Sequence, residues 1–334
     1  MNWKSFAFIG LIALFCSCGK RPAEVPLVYY HSFPKDTIVM LREIPREPCF
    51  TPLDILRGGG RVLVYSNYRE GEGPAYFVYK YPEMTLLTGF GEKSEFRFLW
   101  RLDENRFGQV RGDSLFTYRF VEGDSLKQES ASFFGGGKAH YRSVAPLSNH
   151  LYVYSNSYER SGMGEYFIRD IKRNSVASVG QFLGDAAGFK SVYELKSAYA
   201  SSVEVSPDRK HTLVYYYRVR RFRIYTAEGV LLHDVFLDCS SCAKVVDTNR
   251  RNWRYYIQEA YVTDKYIYLI ANGEQSDGND MAPCELLVTE WNGNPVARYR
   301  LDQYISSFFI DEAMGRFYGI NPADNQNFYS FNLL

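Results

Sequence analysis

The tetrapeptide V-Y-S-N occurs at 64–67 and again at 153–156. Each copy is followed by a polar, glycine-containing loop and then by Y-F, at 76–77 and 166–167. The copies lie 89 residues apart, two units of the roughly 40–45 residues that build one four-stranded propeller blade. Such a unit cannot bury its apolar face alone and must stack on copies of itself. In that period the chain divides into groups of four strand-like runs: 50–57, 61–67, 75–82 and 84–90; 96–102, 105–111, 114–120 and 126–133; 142–147, 150–156, 165–172 and 175–182; 199–206, 211–217, 221–227 and 230–237; 256–262, 265–272, 284–291 and 295–301. The runs are rich in β-branched and aromatic residues. Turns such as Y-P-E-M (81–84), V-E-G-D (121–124), A-E-G-V (227–230) and W-N-G-N (291–294) separate them.

The last group has only three runs, 305–310, 315–320 and 327–332, which would leave an open sheet edge. D-T-I-V-M-L-R-E at 36–43 can supply the fourth strand and close the ring. The expected fold is therefore an all-β, six-bladed β-propeller with four antiparallel strands per blade, its last blade closed by an N-terminal strand. A β-sandwich would share the short alternating strands but not the fourfold grouping or the orphan terminal strand. Amphipathic helical spacing is hard to find anywhere in this region.

The amino terminus carries a different signal. Lys4 precedes an apolar run at 7–15 that is too short to span a bilayer. Cleavage before Cys16 would place bulky Phe15 at −1, whereas cleavage before Cys18 places Ser17 there. The stretch resembles a bacterial lipoprotein signal with Cys18 as the acylated first residue, although Phe15 stands where leucine is usual. Ordinary secretion with a spare cysteine is the alternative. This reading divides the chain into a signal peptide (1–17), a lipid-anchored linker (18–35) and the propeller (36–334). Acyl chains on Cys18 would anchor it, at about 0.8 kcal/mol per buried methylene. Gly-Lys-Arg-Pro-Ala-Glu after Cys18 lacks the acidic pair of surface-export tags, which points to an outer-membrane location facing the periplasm.

With 39 basic and 38 acidic side chains, the chain has no basic excess to neutralise phosphates, so nucleic acid is not an expected partner. The lipid is the only membrane contact expected, because no later apolar segment approaches a spanning length.

E-V-S-P-D-R-K-H at 204–211 resembles the strand–turn unit of TolB-type propellers, with Arg209 where glycine is usual. The segments 289–302 and 309–320 resemble the closing blades of TolB-like six-bladed propeller lipoproteins of Bacteroidetes-type bacteria, and 79–91 their first blade. These motifs are structural turns. The resemblance implies a cell-envelope binding or scaffolding role, generally without an assigned reaction or cofactor.

In an up-and-down blade, the connections after strands two and four emerge on one face. The long connections, 68–74, 157–164, 183–198, 238–255 and 273–283, nearly all belong to that set. Long loops in a compact domain are disproportionately functional. Tyr68, Arg69, Tyr158, Arg160, Arg251, Trp253 and Arg254 on this face are the candidate ligand-binding residues. Arginine pairs bidentately with carboxylates, and aromatic rings offer flat apolar contact, which suits a protein, peptide or glycan. Taken singly, each also reads as part of a solvated loop rim.

Signals for other chemistry are weaker. Cys239 and Cys242 lack the βαβ context of a redox C-x-x-C and supply two of the four ligands of a closed zinc site; Cys49 and Cys284 on the same face make four thiolates conceivable, but only from several blades. In an oxidising compartment a disulfide within or involving the pair is expected, with free thiols or metal or redox work as alternatives. Asp277-Gly278-Asn279-Asp280 lacks the spacing of a calcium loop and reads as a polar turn. The five histidines show no metal-binding spacing, and only His140, after G-G-G-K on the loop-rich face, stands out. No nucleophile elbow, phosphate loop or dinucleotide fingerprint is present. The leading expectation is an envelope binding protein. The alternatives are a polysaccharide hydrolase or lyase with its residues converging at the propeller funnel, and a purely structural partner in an envelope complex.

Overall fold

The computed structural model describes residues 25–47, 51–67, 73–91, 99–121, 124–135, 143–155, 164–183, 188–239, 242–272 and 282–333. Three strands come first: β1 (Leu27–Tyr30), β2 (Lys35–Val39) and β3 (Arg42–Pro45). Blade one contains β4 (Pro52–Gly58), β5 (Arg61–Ser66), β6 (Tyr76–Lys80) and β7 (Thr85–Phe90). Blade two contains β8 (Trp100–Arg101), β9 (Arg106–Arg111), β10 (Ser114–Phe120) and β11 (Leu126–Phe133). In blade three, β12 (Ser143–Pro146), β13 (Leu151–Ser155), β14 (Tyr166–Asp170) and β15 (Ser175–Val179) precede a short helix, α1 (Val192–Ala198). Blade four contains β16 (Ser201–Val205), β17 (His211–Tyr216), β18 (Arg221–Thr226) and β19 (Leu231–Leu237). Blade five contains β20 (Ile257–Val262), β21 (Tyr266–Asn272), β22 (Cys284–Glu290) and β23 (Pro295–Leu301). Blade six contributes β24 (Ser307–Asp311), β25 (Arg316–Ile320) and β26 (Asn327–Asn332).

The sheets form the six-bladed propeller expected from the repeat. Strands β4, β8, β12, β16, β20 and β24 are innermost, and each neighbours the next around a closed ring. Alternation on the second strands explains the stacking. Val62 and Val64 face blade six with Phe309 and Tyr318, while Leu63 and Tyr65 face blade two with Leu99 and Phe107. Among the described residues, six apolar clusters occupy the six interfaces between adjacent blades. A blade therefore buries both faces, and the ring holds together as a cycle of sheet-to-sheet contacts.

Closure differs in detail from the expectation. The run 36–43 is not one strand. Residues 42–45 (β3) pair antiparallel with β26 and complete blade six, whereas 35–39 (β2) pair parallel with β23 as a fifth strand on blade five. The break falls where the Leu41 N–H turns to Asp302 Oδ1, 3.0 Å away. Asp36 holds β2 in place against Arg298 and Arg300. The segment expected to be a linker also contains structure: β1 pairs parallel with β19 as a fifth strand on blade four. A single amino-terminal segment thus runs along the outer edges of blades four, five and six. The other departure is α1, which lies in a connection expected to be a plain loop.

Candidate functional site

Three connections of the loop-rich face converge beside blade four: the segment containing α1, the turn between β17 and β18, and the residues that follow β19. Ser191 caps α1, its Oγ accepting the Glu194 N–H at 3.1 Å, while Glu194 Oε2 accepts the Lys190 N–H at 2.8 Å. The other carboxylate oxygen of Glu194 takes Arg250 Nε at 3.1 Å, so helix and following loop are tied together. The Lys190 N–H, and then the Arg250 guanidinium, hold the Glu194 carboxyl below its usual range.

Arg250 opens a single turn of 3₁₀ helix that ends at Trp253. The Trp253 indole N–H donates to the Asp247 carbonyl at 2.6 Å, and its ring packs against the cluster between blades three and four. The Arg218 guanidinium lies 4.5 Å from the Trp253 ring centroid and 4.8 Å from that of Tyr255, a cation–π stack shared by two rings. Arg218 also donates to the Ser197 carbonyl of α1 at 2.5 Å and to Tyr255 Oη at 3.2 Å. Beside this stack lies a cleft of about 660 Å³ lined by Lys190, Ser191, Glu194, Asn249, Arg250 and Arg251, among others. The lining carries three cations and one carboxylate. Arg251 is exposed, and its guanidinium has no hydrogen bond or ion pair among the described residues.

Of the expected ligand-binding residues, Arg251 lines this cleft, Trp253 lies beside it against Arg250 and Arg218, and Arg254 is exposed on the same segment. Trp253 is half-buried and supports the loop. Tyr68, Arg69, Tyr158, Arg160, Cys18, Cys49, His140 and the 277–280 turn lie outside the described residues. Arg218, Tyr255, Lys190 and Glu194 belong to the site but were not expected there. The S-x-x-E spacing of Ser191 and Glu194 is a capping-box signal that points to α1.

Cys239 and Cys242 form a disulfide on the same face. Cys284 is a buried free thiol whose pKa burial pushes up to about 12, leaving it without thiolate character. Among the described residues no group of three or more His, Cys, Asp or Glu is placed to hold a metal ion. No helix there is long and apolar enough to cross a membrane.

A second constellation occupies the axis. Asp54 on β4, Glu204 on β16 and Glu259 on β20 stand on innermost strands, with Arg101 on β8. Ser307 of β24 sits between two of the acids, its Oγ 2.8 Å from Asp54 Oδ1 and 3.1 Å from Glu259 Oε1. Arg101 donates to Tyr261 Oη at 2.6 Å and stacks 4.8 Å from that ring. Each acid keeps part of its surface open to the axis but is otherwise enclosed by protein, and desolvation dominates its titration. Burial pushes Glu204 up to about 7, against the pull of Arg101 and with help from Asp54. Burial, then the charges of Asp54 and Glu204, drive Glu259 well above its usual range. Asp54 is raised by burial as well.

No family model and no curated protein matches this sequence. Solved structures do resemble it. A member of the DUF4221 family from Bacteroides vulgatus superposes with a TM-score of 0.52 at 7% identity, covering 87% of this chain and 99% of that one. Raptor from Chaetomium thermophilum gives a TM-score of 0.52 at 10% identity over 88% of this chain, which spans only 29% of Raptor. At these identities the likeness establishes the propeller fold alone.

Proposed function

We propose that this chain is a lipid-anchored cell-envelope propeller that binds a protein, peptide or glycan through its loop-rich face, with Cys18 as the anchor and the periplasmic side of the outer membrane as its location. The observation that carries the binding reading is that three connections meet beside one cleft: the α1 segment and the loop after β19 line it, and Arg218 of the β17–β18 turn ties those two together. Loops that merely tolerate insertion have no need of a shared Arg218–Trp253–Tyr255 stack or of a Glu194–Arg250 tie. The stack braces the loop that carries Arg250 and Arg251, and the exposed Arg251 offers a charged donor at the cleft, an arrangement suited to a ligand bearing carboxylates. The likeness to TolB-type propellers in 204–211 and to TolB-like propeller lipoproteins in 79–91, 289–302 and 309–320, and the lipoprotein-like signal before Cys18, support the envelope setting.

In-cell crosslinking followed by affinity purification and mass spectrometry tests this reading. A partner that is recovered with the native chain and lost with Arg251→Glu, in a variant that keeps the native unfolding midpoint, supports the cleft. The same partner retained by Arg251→Glu moves the binding surface elsewhere. Cys18→Ala should transfer the chain from the membrane fraction to the soluble envelope fraction, and continued sedimentation with membranes would remove the anchor.

One observation favours a second reading. Asp54 and Glu259, linked through one hydroxyl at the axis with Glu204 nearby, form the kind of carboxylate group that glycoside hydrolysis uses. Turnover of envelope polysaccharide that is lost in Asp54→Asn and unaffected by Arg251→Glu would establish the hydrolase instead.

A further inference from the structure

We propose that Asp54, Ser307 and Glu259 form a proton latch: one proton, held on Glu259 and relayed through the Ser307 hydroxyl to Asp54, ties the inner strand of the closing blade to both of its neighbours. This goes beyond the binding reading and does not depend on it.

A serine hydroxyl has one hydrogen to give and two lone pairs to offer. Ser307 Oγ already accepts the Ile55 N–H at 3.1 Å. It also meets Asp54 Oδ1 at 2.8 Å and Glu259 Oε1 at 3.1 Å, and its single hydrogen cannot serve two carboxylate oxygens at full strength. The arrangement is satisfied when one carboxyl is an acid: Glu259 Oε1–H donates to Ser307 Oγ, and Ser307 O–H donates to Asp54 Oδ1. The remaining oxygen of Glu259 then accepts the Phe308 N–H at 3.2 Å. The shorter of the two Ser307 contacts falls on Asp54, which this scheme keeps ionised and which therefore accepts the stronger bond.

Charge points the same way. The groups facing the latch are Glu204 from β16 and Arg101 from β8, with Tyr261 of β20, Tyr76 of β6 and Tyr215 of β17 around them. The β12 run, Ser143–Pro146, carries no charged side chain. Three ionised acids would face one guanidinium in a largely enclosed space, and such a group sheds charge by binding a proton. The proton is a property of the coupled pair, and the hydrogen-bond geometry selects Glu259 as its seat.

The location gives the latch its consequence. Blade six is the blade completed by the amino-terminal β3, and its inner strand β24 lies between β20 and β4. Ser307 is the first residue of β24, so the relay spans blade five, blade six and blade one at the seam where the ring shuts. Losing the proton leaves two anions on one hydroxyl and loosens that seam.

Infrared difference spectroscopy of the full soluble chain (Cys18→Ala) against its Glu259→Gln variant tests this at about pH 6, above the usual carboxyl range. The parent should carry a protonated-carboxyl C=O band that the variant lacks and that shifts in frequency in Ser307→Ala. Glu259→Gln keeps the shape and supplies an amide N–H for Ser307, so it should fold and show a shallower decline in unfolding midpoint than the parent as pH rises above the ordinary carboxyl range. Identical carboxyl bands in the parent and in folded Glu259→Gln overturn the proposal. So does an unchanged pH slope. If Glu259→Gln fails to fold, the Ser307→Ala spectrum decides alone: an unshifted band places the proton elsewhere.

Discussion

Arg220 and Glu285 meet at 2.6 Å with 1% and 5% of their side chains exposed, joining the β17–β18 turn of blade four to β22 of blade five. The same Arg220 nitrogen donates to the Asn272 carbonyl at 2.5 Å, and Arg298 approaches the other oxygen of Glu285 at 3.8 Å. A pair this buried recovers its desolvation only through such additional bonds. Arg220→Ala should therefore destabilise the protein by about 3–5 kcal/mol, because it strands a buried carboxylate. Arg220→Met combined with Glu285→Leu, which removes both charges and keeps volume, should cost far less. Urea unfolding midpoints of the three chains check this. Equal losses in the single and double variants would mean packing, not charge, decides the site.

The buried acids set the response of stability to pH. Burial pushes both Glu204 and Glu165 up to about 7, Glu165 against the pull of Arg223 and Tyr225. A carboxyl raised in the folded state keeps a proton that the unfolded chain has released. Its contribution is complete below about pH 4.5 and is lost as pH rises to about 7, by at most about 3 kcal/mol each. Asp208 works in the opposite sense. Although partly desolvated, it is held down to about 2 by Ser206 and Lys210, so its contribution is present above the ordinary carboxylate range and disappears in acid. Stability should peak near pH 5 and decline on either side. Glu204→Gln and Glu165→Gln should each flatten the decline between about pH 5 and 7, as measured by urea midpoints across that range.

How far the sequence reveals this follows from where each signal resides. Strands such as β5 are legible because alternation is local: Leu63 and Tyr65 turn one way, Val62 and Val64 the other. The parallel fifth strands are not. L-V-Y-Y at 27–30 reads as β-forming, but nothing within it names β19 as its partner. The break at 40–41 is hidden likewise, because the turn is made by Asp302, some 260 residues away. The axial acids are a partial signal. Asp54, Glu204 and Glu259 each lie on a first strand, the strand that lines the axis, but a first-strand charge can also be paired between blades, as Arg57 is with Asp311, so the strand position alone does not single them out. The cleft was half-legible: Trp253 and Arg251 stand out in their loop, while Arg218, from a four-residue turn, gains its role only by stacking across space.

The turn after β16 holds Arg209 at φ +61°, in the left-handed region that costs a side chain about 1–2 kcal/mol and costs glycine nothing. Its N–H donates to the Ser206 carbonyl at 2.7 Å, so the conformation is fixed by the turn. Arg209→Gly should relieve that strain and lose part of the gain to the greater freedom of glycine in the unfolded chain, for a net stabilisation of about 0.5–1 kcal/mol. Thermal unfolding reads it directly. A lower midpoint would show that the arginine side chain makes a compensating contact.

The amino-terminal segment contributes three strands with unequal consequences. Blades four and five each retain four antiparallel strands without β1 and β2, so those strands cap edges that are already complete. Blade six has only β24, β25 and β26 of its own, and β3 supplies the fourth strand, with Arg46 beyond it donating to Asn327 and Asp324 carbonyls. A soluble chain beginning at 41 should therefore fold, with a modestly lower unfolding midpoint and a greater tendency to associate through the bared edges of β19 and β23. A chain beginning at 47 should lose ring closure, unfold at much lower urea and expose apolar surface to a hydrophobic dye. Similar behaviour of the two truncations would show that the ring is held by its blade-to-blade clusters alone and that β3 is dispensable.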